Sequence, residues 1–200
     1  MKILSLKVKS KNNPNIFIAE TDGGEVELHS EVIVKYGVGV GEIDDKDFVE
    51  YVDDSAEIIG ANLCMKYISS RLKTEKQIKD YLYKKSYTTR IINRIIEKLK
   101  NYSVIDDSEF ADSYIRSNQN FSKNKLKQKL ASFGVGASLI EEKLTDVDDM
   151  DSCVSHAEKF LRGKMMTREV KEKLYRKLVN LGFGYDVIKR VINKFDFEEE

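Results

Sequence analysis

The chain has 200 residues, 41% apolar and 34% charged, with a single proline (Pro14) and no tryptophan. That length allows one large domain or two to four small modules, and low proline with abundant Lys, Glu, Leu and Ile favours helices. A formal net charge of zero excludes a simple polycationic clamp, and no apolar run approaches the length of a bilayer span.

The zero sum conceals an alternation. Residues 1–54 carry 6 basic and 12 acidic side chains, residues 55–105 carry 11 and 4, residues 106–153 carry 6 and 10, and residues 154–200 carry 11 and 8. Such a multipole can offer a basic face to nucleic acid or an acidic face to a basic protein. Cys64 and Cys153 are far apart and in no metal-type spacing. They read as reduced, buried thiols of a cytoplasmic protein.

In chain order, "MKILSLKVKSK" alternates, unlike the apolar stretch of a signal peptide. "NIFIAE" is β-rich, and "TDGGEVEL" supplies a turn and a further alternating run. A β-hairpin or three-stranded element is expected there. "HSEVIVKYG" reads as a helix stopped at Gly37, and "GEIDDKDFVEYVDDS" as a second, acidic helix leading into the rest of the chain. "GVGVGE", residues 37 to 42, looks like a phosphate loop only superficially. It lacks the Lys-Ser/Thr of such a loop, and an acidic stretch takes its place.

The remainder repeats. Leu82, Leu130 and Leu178 are 48 residues apart each time. The same offset links Ile78, Leu126 and Leu174; Tyr87, Val135 and Phe183; Ile91, Leu139 and Val187; and Ile92, Ile140 and Ile188. At the turn it links Ser86, Gly134 and Gly182. A period of this size signals a helical repeat array. Each unit reads as three helices, with a left-handed stop after the second that suits glycine better than Ser86. The expected fold is therefore mainly α: three tandem three-helix repeats in an elongated curved array, after a small β element with short helices. The boundaries are 1–54 for the N-terminal element, then 55–105, 106–148 and 149–197 for the repeats.

"TEKQ" at Thr74 and "DDSE" at Asp106 have capping-box spacing. Asp106 and Asp107 are adjacent carboxylates, but a metal site needs more converging ligands than one dipeptide gives. Asp106 is expected to start a helix that Phe110 and Tyr114 anchor, with Arg116 projecting outward. His29 and His156 have no ligand partners at metal spacing, and no serine sits in a nucleophile elbow. No catalytic, metal or cofactor site is expected, and the chain does not read as an enzyme.

Two basic stretches stand out. One holds Lys123, Lys125, Lys127 and Lys129; the other holds Arg162, Lys164, Arg168, Lys171, Lys173, Arg176 and Lys177. Each is either a solvated surface or a stripe facing phosphates. The third helices, "RIINRIIEKLK", "SLIEEKL" and "YDVIKRVINKF", are too apolar or acidic for base readout, so sequence-specific DNA binding is not expected.

Three features together carry a family resemblance. They are Arg71, Thr74 and Ile78 in an Arg-x-x-Ser/Thr-x-x-x-Ile/Leu pattern; Ile105-Asp106-Asp107-Ser108-Glu109-Phe110-Ala111; and Leu-x-x-x-Gly turns ending at Gly134 and Gly182. From residue 56 to about 195 the chain resembles the bacterial RecX family. It departs at Ser86, where glycine is usual, and at "FSKNKLK", which lacks a common glycine. The resemblance implies a monomeric regulator that binds the RecA filament on single-stranded DNA and modulates, usually inhibiting, its recombinase, ATPase and coprotease activities. It implies no cofactor, no small-molecule substrate and no membrane. An autonomous, non-sequence-specific DNA-binding module and a scaffold for another protein are the competing readings.

Overall fold

The computed structural model describes residues 1–196. The chain divides into two compact units, one ending at Ile105 and the other beginning at Asp106.

The first unit opens with β1 (Lys2–Ser10), β2 (Asn13–Thr21) and β3 (Gly24–His29), then α1 (Ser30–Tyr36) and the two-residue β4 (Gly41–Glu42). The strands form one antiparallel sheet in the order β3-β2-β1-β4. Its register explains the alternation in sequence. Leu6, Ala19 and Val26 stand in line, as do Val8, Phe17 and Leu28, so these apolar residues share one face. Lys7, Ile18 and Glu27 line up on the other face. Ile3, Ala19, Leu28, Val38 and Phe48 form the small core beneath the sheet. The expected three strands thus gain a fourth. Within the Gly-rich stretch, Gly41 pairs with Ile3 and Glu42 with Lys2.

One helix corrects the expected 54/55 boundary. α2 runs unbroken from Asp45 to Ile68, 24 residues. The acidic helix and the first helix of the first repeat are one element, because nothing between them breaks a helix. Ser55, at the expected boundary, is fully buried, and its Oγ accepts the His29 backbone N–H at 3.0 Å. Gly60 lets α2 close on its neighbour. A Cβ there would meet Ile95 Cδ1 at 2.5 Å and the Tyr87 ring at 2.9 Å. Helices α3 (Glu75–Lys84) and α4 (Thr89–Asn101) complete the repeat. Its core holds Cys64, Ile78, Leu82, Ile92, Ile95 and Leu99.

The second unit consists of α5 (Asp107–Ser117), α6 (Lys123–Phe133), α7 (Ala137–Lys143), α8 (Met150–Leu161), α9 (Arg168–Asn180) and α10 (Tyr185–Asp196). Two clusters organise it. Phe110, Ala111, Leu126, Leu130, Ile140 and Leu144 form one. Cys153, Ala157, Leu174, Leu178, Phe183 and Ile188 form the other. Residue 197, the expected end of the third repeat, lies outside the described residues.

The repeat positions do the same work three times. Leu82, Leu130 and Leu178 are each fully buried. After each, the chain turns through a left-handed residue: Ser86 at φ 63°, Gly134 at 92° and Gly182 at 86°. Five residues past each leucine, a backbone N–H returns to its carbonyl, from Tyr87 at 3.2 Å, Val135 at 3.1 Å and Phe183 at 3.2 Å. This bond is the mark of a Schellman-type stop. Ser86 adopts the conformation without being glycine, at a steric cost that Gly134 and Gly182 avoid.

Candidate functional site

The most extensive charged cluster lies in the first unit and was not anticipated from the sequence. Asp53, Asp54 and Glu57 on α2 face Arg90, Arg94 and Lys98 on α4. Arg94 reaches Asp54 and Glu57, both at 2.7 Å, and Lys98 reaches Glu57 at 3.1 Å. The Arg90 guanidinium lies 2.7 Å from Asp53 Oδ2. From α1, Lys35 Nζ and the Tyr36 hydroxyl donate to Asp54 at 3.1 and 2.9 Å. Burial pushes the Asp54 carboxyl up, but the hydrogen bonds from Arg94, Tyr36 and Lys35 outweigh it and leave it below its usual value. The acidic first segment and the basic second segment of the sequence therefore neutralise one another in part across α2 and α4. The signal was present in sequence: Arg90, Arg94 and Lys98 are spaced by four, and so occupy one helix stripe.

Most of the motif residues sit in helix caps and core positions. The Asp106 carboxylate accepts the Ser108 and Glu109 backbone N–H groups at 2.7 and 3.4 Å, capping α5. Asp107 occupies the first turn of the same helix, where a negative charge is favourable. Phe110 and Ala111 are buried, Tyr114 packs against the cluster and Arg116 is exposed. Thr74 is fully buried and forms both halves of a capping box with Gln77. The exposed Arg71 donates its backbone N–H to Ile68 at 3.0 Å, just before that cap. The thiols of Cys64 and Cys153 are each pushed up by burial to about 11, so neither is a poised nucleophile at neutral pH.

The first basic stretch divides on α6. Lys127 pairs with Glu141, and Lys125 lies 4.0 Å from the Phe121 ring centroid. Lys129 is exposed and Lys123 half-buried. The start of α6 also ties the two repeats of this unit together. Ser122 Oγ donates to the Leu181 carbonyl at 2.8 Å, Asn124 Nδ2 donates to the Gly182 carbonyl at 3.0 Å, and the Lys123 N–H meets Asp149 at 2.6 Å. Burial raises the Asp149 carboxyl, and the Lys123 N–H offsets this only in part. His156 Nε2 lies 3.0 Å from the Asn120 carbonyl, with its ring beside Phe183. The Ser122–Leu181 tether leaves no room at Gly182, where a Cβ would stand 2.8 Å from Ser122 Oγ.

The second basic stretch is more open. Arg162, Lys164, Arg168, Arg176 and Lys177 are exposed, while Lys171 is half-buried. Lys164 and Lys177 approach the Phe160 ring at 3.8 and 5.0 Å. Glu172 accepts from Arg176 at 3.4 Å and lies 3.7 Å from Arg168. Arg168, Lys171, Tyr175 and Arg176 line a shallow depression with Ile192 of α10. The two basic stretches thus lie in the same unit, on separate repeats. Among the described residues, no group of three or more His, Cys, Asp and Glu is arranged to hold a metal ion, and no helix is long and apolar enough to cross a membrane.

A sheet followed by successive three-helix modules defines a helical-repeat protein. Comparison with known proteins gives the family. Residues 62–99 match the RecX first three-helix domain, and residues 106–144 match the RecX second three-helix domain. A Bacillus licheniformis protein named regulatory protein RecX is 31% identical over 98% of this chain and 78% of its own length. A Clostridium botulinum protein of the same name is 29% identical over 96% of this chain and 95% of its own. A crystal structure of a regulatory protein RecX superposes with a TM-score of 0.72 at 22% identity, covering 96% of this chain and 98% of that one. RecX from Lactobacillus salivarius gives 0.66 at 27%, covering 71% and 97%. The chain belongs to the RecX family of regulatory proteins.

Proposed function

We propose that the chain regulates RecA by binding the RecA filament on single-stranded DNA, lowering its ATPase, recombinase and coprotease activities. The observation that carries this reading is the match to proteins named regulatory protein RecX along nearly the whole chain, sheet included. The fold supports it: successive modules offer many modest contacts, which add through effective concentration once one is made. The three repeats act as separate contact modules of a cytoplasmic monomer, the first of them opening with the whole of α2. Arg116, Lys129, Arg162 and Lys164 are exposed cations that suit a partner rich in phosphate or carboxylate.

The test is RecA ATPase on single-stranded DNA, titrated with this protein, with binding to naked DNA measured in the same buffer. The expected result is a fall in ATPase at protein levels too low to coat the DNA. An unchanged ATPase, or a fall that only tracks occupancy of naked DNA, overturns the reading. The latter favours the second reading, an autonomous DNA-binding module, which the open cationic surface of α9 supports.

A further inference from the structure

The third helices of the first and third repeats carry the same charged stripe, and among the described residues only one of them is covered. The repeat offset applied twice places Arg94 on Arg190 and Lys98 on Lys194. The core positions around them correspond as well: Ile92 with Ile188, Ile95 with Val191 and Ile96 with Ile192, all buried. The two stripes therefore occupy the same face of equivalent helices. On α4, Arg94 and Lys98 are half-buried beneath the Asp54 and Glu57 carboxylates of α2. On α10, Arg190 and Lys194 are exposed, as is Lys189 beside them. Among the described side chains, none of these three meets a carboxylate within ion-pair distance.

Helix length explains the difference. The covering carboxylates, Asp53, Asp54 and Glu57, stand at the middle of α2, which has 24 residues. Its counterpart α8 has 12 and begins only at Met150. Counted back from the helix ends, Glu57 corresponds to Met150, which packs into the apolar cluster. The two aspartates just before it are used elsewhere: Asp148 accepts the Met150 N–H and Asp149 the Lys123 N–H. The correspondence has one departure, since Asp186 stands where Arg90 does.

We infer that the Lys189–Arg190–Lys194 face of α10 binds the phosphodiester backbone of single-stranded nucleic acid, and that α2 withholds the equivalent face of α4 from it. In the first repeat this face already holds anionic oxygens at 2.7 Å, supplied by the chain itself. Phosphate oxygens meet the same donors in the same way. Tyr185, one turn before Lys189, is 61% exposed, a platform on which an unpaired base stacks. A single amide, the exposed Asn193, stands along the face, too little for base readout, so the contact is independent of sequence. This rests on the proposed function only in naming a partner that a filament contains; it stands or fails on naked DNA.

The experiment is fluorescence anisotropy of a labelled oligo-dT with the full chain, at several salt concentrations. Arg190→Gln with Lys194→Gln should weaken binding and reduce the magnitude of the log–log salt slope by about 1.4, near 0.7 per lost cation on single strands. Arg94→Gln with Lys98→Gln should leave affinity and slope at the wild-type values, with folding checked by circular dichroism. Asp53→Asn, Asp54→Asn and Glu57→Gln together should tighten binding and steepen the slope, by uncovering α4. Wild-type binding by the α10 variant overturns the site, and an equal loss in the α4 variant overturns the covering role of α2. If the wild type has no affinity for oligo-dT yet the α10 variant loses RecA filament binding, the occupant is protein and the inference is wrong. The RecA ATPase titration is run beside it: α10-dependent DNA binding with unchanged ATPase sinks the proposed function and supports this site.

Discussion

The two units handle charge differently. In the first, Asp53, Asp54 and Glu57 are drawn against Arg90, Arg94 and Lys98, so opposite charges from distant segments meet between helices. In the second, several pairs are local, such as Glu169 with Lys173 and Glu172 with Arg176, one turn apart on α9. Local exposed pairs of this kind stabilise little and leave their cations accessible. A half-buried network instead fixes two helices against each other. The third helix thus serves as a brace in the first repeat and as an open surface in the third, and what separates them is the acidic stretch of α2.

The turns sharpen that comparison most strongly. Gly182→Ala meets both a positive φ and the Ser122 Oγ contact. It should destabilise the second unit by about 3 kcal/mol, measured by urea unfolding. Gly134→Ala meets only the backbone penalty and should cost about 1 kcal/mol. The gap between the two reports the tether joining the repeats, and equal losses would remove that tether from the account. In the first unit, Gly60→Ala should cost about 1–2 kcal/mol. Crowding against Ile95 and Tyr87 there outweighs the gain in helix propensity. A neutral result would mean that α2 and α4 can separate without loss.

Asp106→Ala should cost about 1 kcal/mol and reduce the helicity of α5, seen as lost amide protection at Ser108 and Glu109. Ser86→Gly should do the reverse in the first unit, raising its stability by about 0.5 kcal/mol, because glycine removes the strain at φ 63° but costs unfolded-state entropy.

The smallest effects are in pH dependence, and they have opposite signs in the two units. Asp54 titrates below its usual value when folded, so its contribution is present above the unfolded value of 3.8 and is lost as pH falls through the folded one. Asp149 titrates above 3.8 when folded, so its contribution is complete below 3.8 and is lost as pH rises through the folded value. Urea midpoints between pH 3 and 7 should therefore show Asp54→Asn converging on the wild type toward acid. Asp149→Asn should gain on the wild type toward neutral pH. The same sign in both would refute the assignment.

The repeat was legible because its signal is periodic. Leu82, Leu130 and Leu178 recur in sequence as they recur in burial, and the Asp106 cap is a local pattern with a local cause. The Arg94–Asp54 pair joins residues 40 apart, and sequence shows only that two segments have opposite charge, not that they meet. The run from Asp45 to Asp54 read as a separate acidic helix leading into the repeats. The structure shows it continuous with the first helix of the repeat, packed against β3 and α4. β4 was missed because two residues of strand carry no period. The stripe of Arg190 and Lys194 was overlooked because its helix was judged for base readout, where it is poor, and not against Arg94 and Lys98.

Ser55 is where the long helix meets its two obligations. Its hydroxyl holds the end of β3, and within the same turn Asp54 and Glu57 hold α4. A helix of 24 residues is about 36 Å long, and one turn of it fixes both β3 and α4, so neither contact is made independently of the other.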